Sequence, residues 1–201
     1  EYDISNLNFP YMGCKKITVC NNIPARLFRI SFSGELAYEI AVPSRYGNSM
    51  FKVLMDAGSE FNVVAYGTEA LGVMRIEKGH AAGNELNGQI TAQNLGLEKM
   101  MSKKKDFVGN VLSRRSELNK ESIVKLVGFK PVNKEIELKA GAHFISLGKK
   151  ACTKNDEGWM SSVAFSPSLN HSIGLGFIKN GNNRIGEIVN AVDPLRKSNI
   201  E

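Results

Sequence analysis

The first half of the chain alternates apolar and polar residues in three short runs. The first covers residues 15–20, and two asparagines then signal a turn before the second run, residues 23–32. A third run, residues 37–42, follows the sequence Ser-Gly-Glu-Leu, whose glycine offers the flexibility that a tight reversal needs. We therefore predict three consecutive antiparallel strands, with a β-hairpin formed by the second and third.

The next segment changes to helical spacing. Met50, Phe51 and Leu54 recur at the spacing of one helix face, and Gly58 is placed to end the helix. These three apolar side chains are expected in the core. A short strand is predicted at residues 61–65.

A second amphipathic helix is predicted to begin at Thr68, which can cap its N-terminus, and to stop at Gly79. Residues 80–93 are rich in glycine and asparagine and show no period, so they are predicted to form a loop, where ligand contacts concentrate. Strands and helices in this order predict an α+β fold, in which an antiparallel sheet carries helices on one face.

After about Ser116 the pattern changes to short alternating runs separated by turn residues. Such a pattern predicts a small all-β barrel or sandwich at the C-terminus. We therefore expect two domains, residues 1–115 and residues 116–201. The predicted C-terminal strands are residues 123–129, 136–138, 143–147, 149–153, 160–165, 173–178 and 185–190.

The composition is that of a globular protein, since 42% of the 201 residues are hydrophobic and 23% are charged. No apolar run approaches the length of about 18 residues that a membrane span needs, and no signal sequence precedes the first strand, so a cytoplasmic location is expected. The net charge of +6 suits an anionic ligand or an acidic partner subunit. Nucleic acid is not expected, because no aromatic residues interleave with the lysines. The chain begins with a turn-rich segment and without Met, which we interpret as a fragment of a longer protein.

Cysteine and histidine residues lack the spacing of metal ligands. Cys14, Cys20 and Cys152 are odd in number, which argues for reduced thiols, and we expect them to pack as small buried residues. The three histidines are scattered along the chain, so no zinc or iron site is predicted.

Glu39 is the first candidate binding residue. With period 2 it shares a face of the sheet with Ala37 and Ala41, whose small side chains leave room for a flat ligand beside the carboxylate. An ionised carboxylate can accept two parallel N–H bonds, which a ring amide beside an exocyclic amine would donate. The alternative is an ordinary solvated glutamate on the exposed face of a strand.

Three sequence motifs carry a family resemblance: FSGELAYEI at residues 32–40, YGTEALGVMRIEKG at residues 66–79 and KKKDFVG at residues 103–109. In this order they resemble the aminomethyltransferase superfamily, which includes the glycine-cleavage T-protein. The resemblance extends from about residue 7 to residue 195, and within the superfamily it is to the α subunit of heterotetrameric sarcosine oxidase. It implies that residues 1–115 are the C-terminal portion of a folate-binding domain and that residues 116–201 form the family's C-terminal β-barrel.

The resemblance also implies site residues. Glu39 and the ring of Phe32 would contact the pterin of tetrahydrofolate, and His80 would line the folate cavity. Leu71 stands where the family has an arginine that contacts the folate tail, so that contact would be missing. The family's catalytic aspartate would lie before residue 1, which leaves the catalytic residue unknown in this chain.

The function implied by the resemblance is that of a fragment of the sarcosine oxidase α subunit, whose aminomethyltransferase-like region converts the one-carbon product of sarcosine oxidation to 5,10-methylenetetrahydrofolate. The full enzyme would bind a flavin (FMN or FAD) and NAD through parts outside these motifs, and the other sarcosine oxidase subunits would be its partners. A stand-alone folate-dependent aminomethyltransferase or demethylase, and a non-catalytic subunit-interface module, remain alternatives. The lysine run at residues 103–105 fits an anion-binding patch or a solvated turn.

Overall fold

The computed structural model describes residues 2–201. The chain divides into two compact units, of which the first ends at Leu71 and the second spans Gly72–Glu201. Each unit contains one antiparallel sheet, and helices occupy part of the chain between the sheets. The predicted α+β class is therefore confirmed.

The sheet of the first unit has three antiparallel strands in the order β1-β2-β3. They are β1 (Cys14–Val19), β2 (Ile23–Phe28) and β3 (Glu39–Ala41). Asn21 and Asn22 make the turn between β1 and β2 with φ angles of 61° and 73°, a region that asparagine tolerates better than most residues. The predicted order and pairing of the three strands are confirmed.

The connection between β2 and β3 is longer than the tight hairpin that we predicted. Strand β2 ends at Phe28, and Arg29 then forms backbone hydrogen bonds with Met12 and Gly13, which precede β1. The chain then reverses through an irregular segment in which Gly34 has a φ of 100°. Phe32 therefore lies in a connecting segment and not in a strand.

A small apolar core supports one face of this sheet. Phe9, Ile17, Ala25 and Leu27 form it, with partly buried side chains around them. The ring of Phe9 stacks on that of Tyr38 with centroids 6.3 Å apart. The N-terminal segment thus contributes an aromatic anchor to the sheet.

Helix α1 (Gly47–Gly58) ends at the predicted glycine, but most of its predicted core face is exposed. Met50 is buried, whereas Phe51 and Leu54 are 55% and 46% exposed. No strand forms at residues 61–65, because a 3-10 turn is followed by Asn62 in the left-handed region. The predicted burial is confirmed for Met50 but wrong for Phe51 and Leu54, and the predicted strand is absent.

Helix α2 (Thr68–Lys78) has the predicted bounds. It ends in a Schellman turn: Gly79, with a φ of 75°, donates its N–H to the Ile76 carbonyl, and His80 donates to the Arg75 carbonyl. Ile76 packs with Ile173 and Leu175 in a small cluster of the second unit. A further short helix, α3 (Asn110–Ser113), follows.

The second unit is built on a six-stranded antiparallel sheet with the order β4-β7-β6-β5-β8-β9. One backbone hydrogen bond, from the Val132 N–H to the Glu201 carbonyl, joins the segments that follow the two edge strands. Residues 136–138 and 149–153 form no strand, and β9 was not predicted. The strands are β4 (Val124–Phe129), β5 (His143–Ser146), β6 (Gly158–Ser166), β7 (His171–Lys179), β8 (Val189–Asp193) and β9 (Ser198–Ile200).

The core of the second unit contains several fully buried side chains. Phe144 and Met160 are 0% and 1% exposed, and the Phe144 ring stacks on Phe129 with centroids 4.2 Å apart. Gly176 of β7 lies so close to its neighbours that an added Cβ would sit 2.7 Å from the Trp159 carbonyl oxygen. Packing therefore excludes any side chain at this position.

The three cysteines differ from the expected burial. Cys14, Cys20 and Cys152 are free thiols, as predicted, but all three are exposed. Cys14 lies on the face of β1 opposite the core, and Cys20 lies in the turn after β1. Alternation along the strand accounts for the exposure of Cys14.

Candidate functional site

Glu39 opens β3 and points away from the core of the first unit. Ile40, the next residue, pairs with Leu27 on the core face, and alternation puts Glu39 on the outer face. The Glu39 side chain is exposed. The predicted alternation along β3 is confirmed.

The strand register determines which side chains surround Glu39 on this outer face. Phe28 lies directly opposite Glu39, and Arg26 lies opposite Ala41. On the next strand Lys16 pairs with Arg26. The outer face thus combines a carboxylate, a partly buried aromatic ring, one small residue and two cations.

The Glu39 carboxylate has no hydrogen bond or ion pair to any side chain or backbone group within residues 2–201. It therefore has its acceptor capacity available to a ligand or to water. Phe28, its direct cross-strand neighbour, was missed by the sequence reasoning, because only the register shows that the two residues lie side by side.

Phe32 lies in the irregular segment before Glu39 and is 37% exposed. This segment is held by local hydrogen bonds. The Gly34 N–H donates to the Ser31 hydroxyl over 2.8 Å, and the Arg29 guanidinium donates to the Phe9 carbonyl over 2.7 Å. Phe32 is thus presented by an ordered connection between β2 and β3.

His80 directly follows the Schellman turn that ends α2 and is partly buried. Burial lowers the pKa of the imidazole below its usual value of 6.5, and the charges of Lys78 and Arg75 lower it further. The ring is therefore predominantly neutral at physiological pH. Phe32 and Glu39 belong to the first unit, whereas His80 belongs to the second.

A buried carboxylate, Glu85, lies five residues after His80 in the same loop and is 0% exposed. Its Oε1 atom accepts hydrogen bonds from the hydroxyls of Ser161 and Ser162, over 2.5 and 2.6 Å. Its Oε2 atom is 2.7 Å from Nη1 of Arg75 and 3.1 Å from the Ala82 nitrogen. All four donors converge on one side chain, which the sequence reasoning did not single out.

The hydrogen bonds keep this buried carboxylate charged. Burial raises the pKa of Glu85, but the two serine hydroxyls and the Ala82 N–H, together with the charge of Arg75, hold the pKa below its ordinary value of 4.5. The Arg75 side chain is itself only 12% exposed. Glu85 and Arg75 thus form a nearly buried ion pair with satisfied hydrogen bonds.

Two cavities lie in the second unit. One of about 700 Å³ is lined mainly by apolar core residues such as Phe144 and Met160, and none of the predicted site residues borders it. The other, of about 400 Å³, is bordered by Gln93, Lys103 and Arg114. Neither cavity contains Glu39, Phe32 or His80.

The lysine run forms part of an exposed bend. The backbone N–H groups of Lys104 and Lys105 donate to the Ser102 hydroxyl. Within residues 2–201, no three histidine, cysteine or acidic side chains are grouped so that they could hold a metal ion. None of the helices described in that range has the length and apolar character needed to cross a bilayer.

Comparison with protein families gives two matches. Residues 1–105 match the GCVT N-terminal domain, and residues 125–196 match the glycine cleavage T-protein C-terminal barrel domain. Together the two matches cover most of the chain in the order that the three sequence motifs predict.

Individual relatives agree with these matches. The chain is 43% identical to sarcosine oxidase subunit alpha of Rhizobium meliloti, over 94% of this chain and 19% of the relative. It is 42% identical to the same subunit of Corynebacterium sp. strain P-1, over 93% of this chain and 20% of the relative. It is 30% identical to a mitochondrial aminomethyltransferase of Mesembryanthemum crystallinum, over 90% of this chain and 43% of the relative.

Among solved structures, the chain resembles the glycine cleavage system aminomethyltransferase T from Bartonella henselae. The TM-score is 0.72 at 22% sequence identity, and the match covers 88% of this chain and 47% of the other. The two proteins therefore share a fold over nearly the whole length of this chain.

Proposed function

Because the chain belongs to the glycine cleavage T-protein family, we propose that it forms part of a tetrahydrofolate-binding site for one-carbon transfer. Glu39, Phe32 and His80 are the proposed folate-binding residues. Aminomethyltransferases are among its relatives, and folate use is the property that this family implies. Tetrahydrofolate, when bound, supplies the nitrogen atoms that take up the one-carbon unit.

The observation that carries this proposal is the Glu39 carboxylate, exposed and without a protein partner within residues 2–201. An ionised carboxylate accepts two parallel N–H bonds, and the ring amide and exocyclic amine of a pterin donate such a pair. Phe28 beside it offers an aromatic surface, and Ala41 leaves space above the sheet. The residues present therefore fit the polar edge and the flat ring of a pterin.

We further propose that the chain is a fragment of a sarcosine oxidase α subunit. The chain spans about a fifth of the length of its sarcosine oxidase relatives, so the activity of the whole enzyme is part of the proposal. That enzyme would be an oxidoreductase that oxidises sarcosine at a flavin and also binds NAD, both in other parts of the assembly. Its folate region would hold the one-carbon product close to tetrahydrofolate, where proximity favours transfer over loss to water. Its partners would be the other subunits, in the cytoplasm.

The role of Glu39 is tested by tetrahydrofolate binding to the full-length protein and to its Glu39→Gln variant. Glutamine keeps the shape of the side chain but replaces one acceptor oxygen with a donor. We expect the binding free energy to weaken by about 1.5–3 kcal/mol, because a charge-assisted hydrogen bond is lost. Isothermal titration calorimetry under anaerobic conditions measures the change.

Glu35→Gln is the matched control, since Glu35 is an exposed glutamate in the connection before β3. Equal affinities of the wild type and the Glu39→Gln variant would remove Glu39 from the site. Copurification of yellow, flavin-containing subunits favours a sarcosine oxidase over a stand-alone aminomethyltransferase.

A further inference from the structure

A β-bulge explains how two neighbouring serines reach the same carboxylate. Side chains that are adjacent along a regular strand point to opposite faces of the sheet. The pairing of β6 with β7 shifts between Met160 and Ser162, which leaves Ser161 as an extra residue. Such a bulge re-aims side chains. The hydroxyls of Ser161 and Ser162 both contact Glu85 Oε1 as a result.

Arg75 connects this cluster to His80. Its Nη1 atom donates to Glu85 and, over 3.3 Å, to the His80 carbonyl. Its Nη2 atom donates to the Ser162 hydroxyl over 2.8 Å. The backbone N–H of His80 donates in turn to the Arg75 carbonyl. Both backbone groups of His80 are therefore held by one arginine.

A second contact holds the same loop on β6. The side-chain amide of Asn84 donates to the Ser161 carbonyl over 3.2 Å. Residues 80–85 contain little regular structure of their own, apart from the 3-10 turn Gly83–Glu85. The conformation of this loop is therefore determined largely by its hydrogen bonds to α2 and β6.

We propose that Arg75, Glu85, Ser161 and Ser162 are positioning residues that fix the His80 loop on the C-terminal sheet. This inference rests on the proposed function, in which His80 contributes to the folate site. Without these contacts the loop would sample many conformations, and ordering it would make the free energy of ligand binding less favourable. The C-terminal sheet thereby helps to set the position of His80, which lies earlier in the sequence.

The test compares Ser162→Ala and Glu85→Gln with the wild type in the full-length protein. Hydrogen–deuterium exchange measures the protection of the His80 and Ala82 amides, and calorimetry measures tetrahydrofolate affinity. We expect both variants to lose amide protection in residues 80–85, by about tenfold or more. Affinity should fall by about tenfold, because a misplaced contact residue binds less well. Ser162→Thr keeps the hydroxyl and should restore both properties.

Ser166→Ala is the matched control. Ser166 lies on the same strand, is also buried, and donates to Glu77 of α2 over 2.5 Å, but it makes no hydrogen bond to residues 80–85. Unchanged protection of the loop in Ser162→Ala and Glu85→Gln would overturn the inference, and so would an equal loss in Ser166→Ala. If Glu85→Gln does not fold, the inference is tested with Ser162→Ala alone.

Failure of the proposed function is distinguishable from failure of this inference. If the wild type does not bind tetrahydrofolate, the folate site is wrong, yet amide exchange still reports whether the cluster holds the loop. If the wild type binds and the loop variants bind equally well, the positioning role is overturned while the folate site stands.

Discussion

The two units differ in how completely they bury their own apolar side chains. In the second unit Phe144 and Phe177 are both 0% exposed. In the first unit no apolar side chain within residues 2–71 falls below the 5% exposure of Phe9, and Phe61 and Val64 are each 76% exposed. A regular three-stranded sheet is present there, with a small core on one face.

This difference shows that strand pairing and core completeness are separate properties. Register and turns in the first unit follow from local patterns, such as alternation and the asparagine turn after β1. Burial of the α1 apolar face depends on long-range contacts, and Phe51 and Leu54 remain exposed. The first unit is therefore expected to contribute less to the stability of the chain than the second.

The largest expected effect comes from the core of the second unit. Phe144→Ala should reduce the free energy of unfolding by about 3–5 kcal/mol, because it leaves a cavity beside Phe129. Urea denaturation measures the change. Phe165→Ala is the control on the same sheet, since Phe165 is 55% exposed. Similar losses for the two variants would contradict the packing described for this unit.

A smaller effect is expected from the buried ion pair. Glu85→Gln should cost about 3 kcal/mol at neutral pH, because Arg75 loses its anionic partner. Since the pKa of Glu85 is lowered in the folded protein, its contribution is complete above the ordinary value of 4.5 and is lost as the pH falls below it. The stability difference between wild type and variant should therefore shrink on acidification.

Unfolding curves of both proteins, measured between about pH 3 and pH 7, check this dependence, because carboxyl groups titrate in roughly this range. Glu98→Gln removes a partly exposed pair with Lys125 and should cost no more than about 1 kcal/mol. A difference for Glu85→Gln that grows as the pH falls would mean that the carboxylate is not stabilised by its partners.

The smallest effect on stability is expected in the first unit. Phe51→Ser and Val64→Ser should change the free energy of unfolding by no more than about 0.5 kcal/mol, because both side chains are exposed. The same substitutions should reduce self-association of the 201-residue chain, since exposed apolar area promotes it. Sedimentation velocity measures association. Losses comparable to that of Phe144→Ala would show that these side chains are buried.

Local patterns predicted much of the fold. Strands β1 and β7 follow from alternation, and the bounds of α2 follow from Thr68 and Gly79. The prediction of a strand at residues 136–138 was wrong, because the Leu138 N–H donates to the side-chain hydroxyl of Ser172 and not to the backbone of a neighbouring strand. Alternation identifies a segment that can form a strand, but whether it does depends on the backbone groups of a neighbouring strand that are available for hydrogen bonding.

The candidate site was only partly predictable. The outward direction of Glu39 follows from period 2 alone, whereas its neighbour Phe28 depends on the register between two strands. Glu85 could not be recognised from the sequence, because its serine partners are 76 and 77 residues away and meet it only through a bulge. Long-range polar contacts of this kind leave no periodic signal.

The irregularity in β6 also has a consequence for how this protein can vary in length. Met160 and Ser162 pair with the adjacent residues Gly176 and Leu175, so deleting Ser161 would leave both flanks of β6 in register and every other side chain on its present face. A one-residue deletion at a regularly paired position of β6 would move the side chains on one flank to the opposite face. Insertions and deletions should instead accumulate in the turn after Ser166, where the chain leaves the sheet.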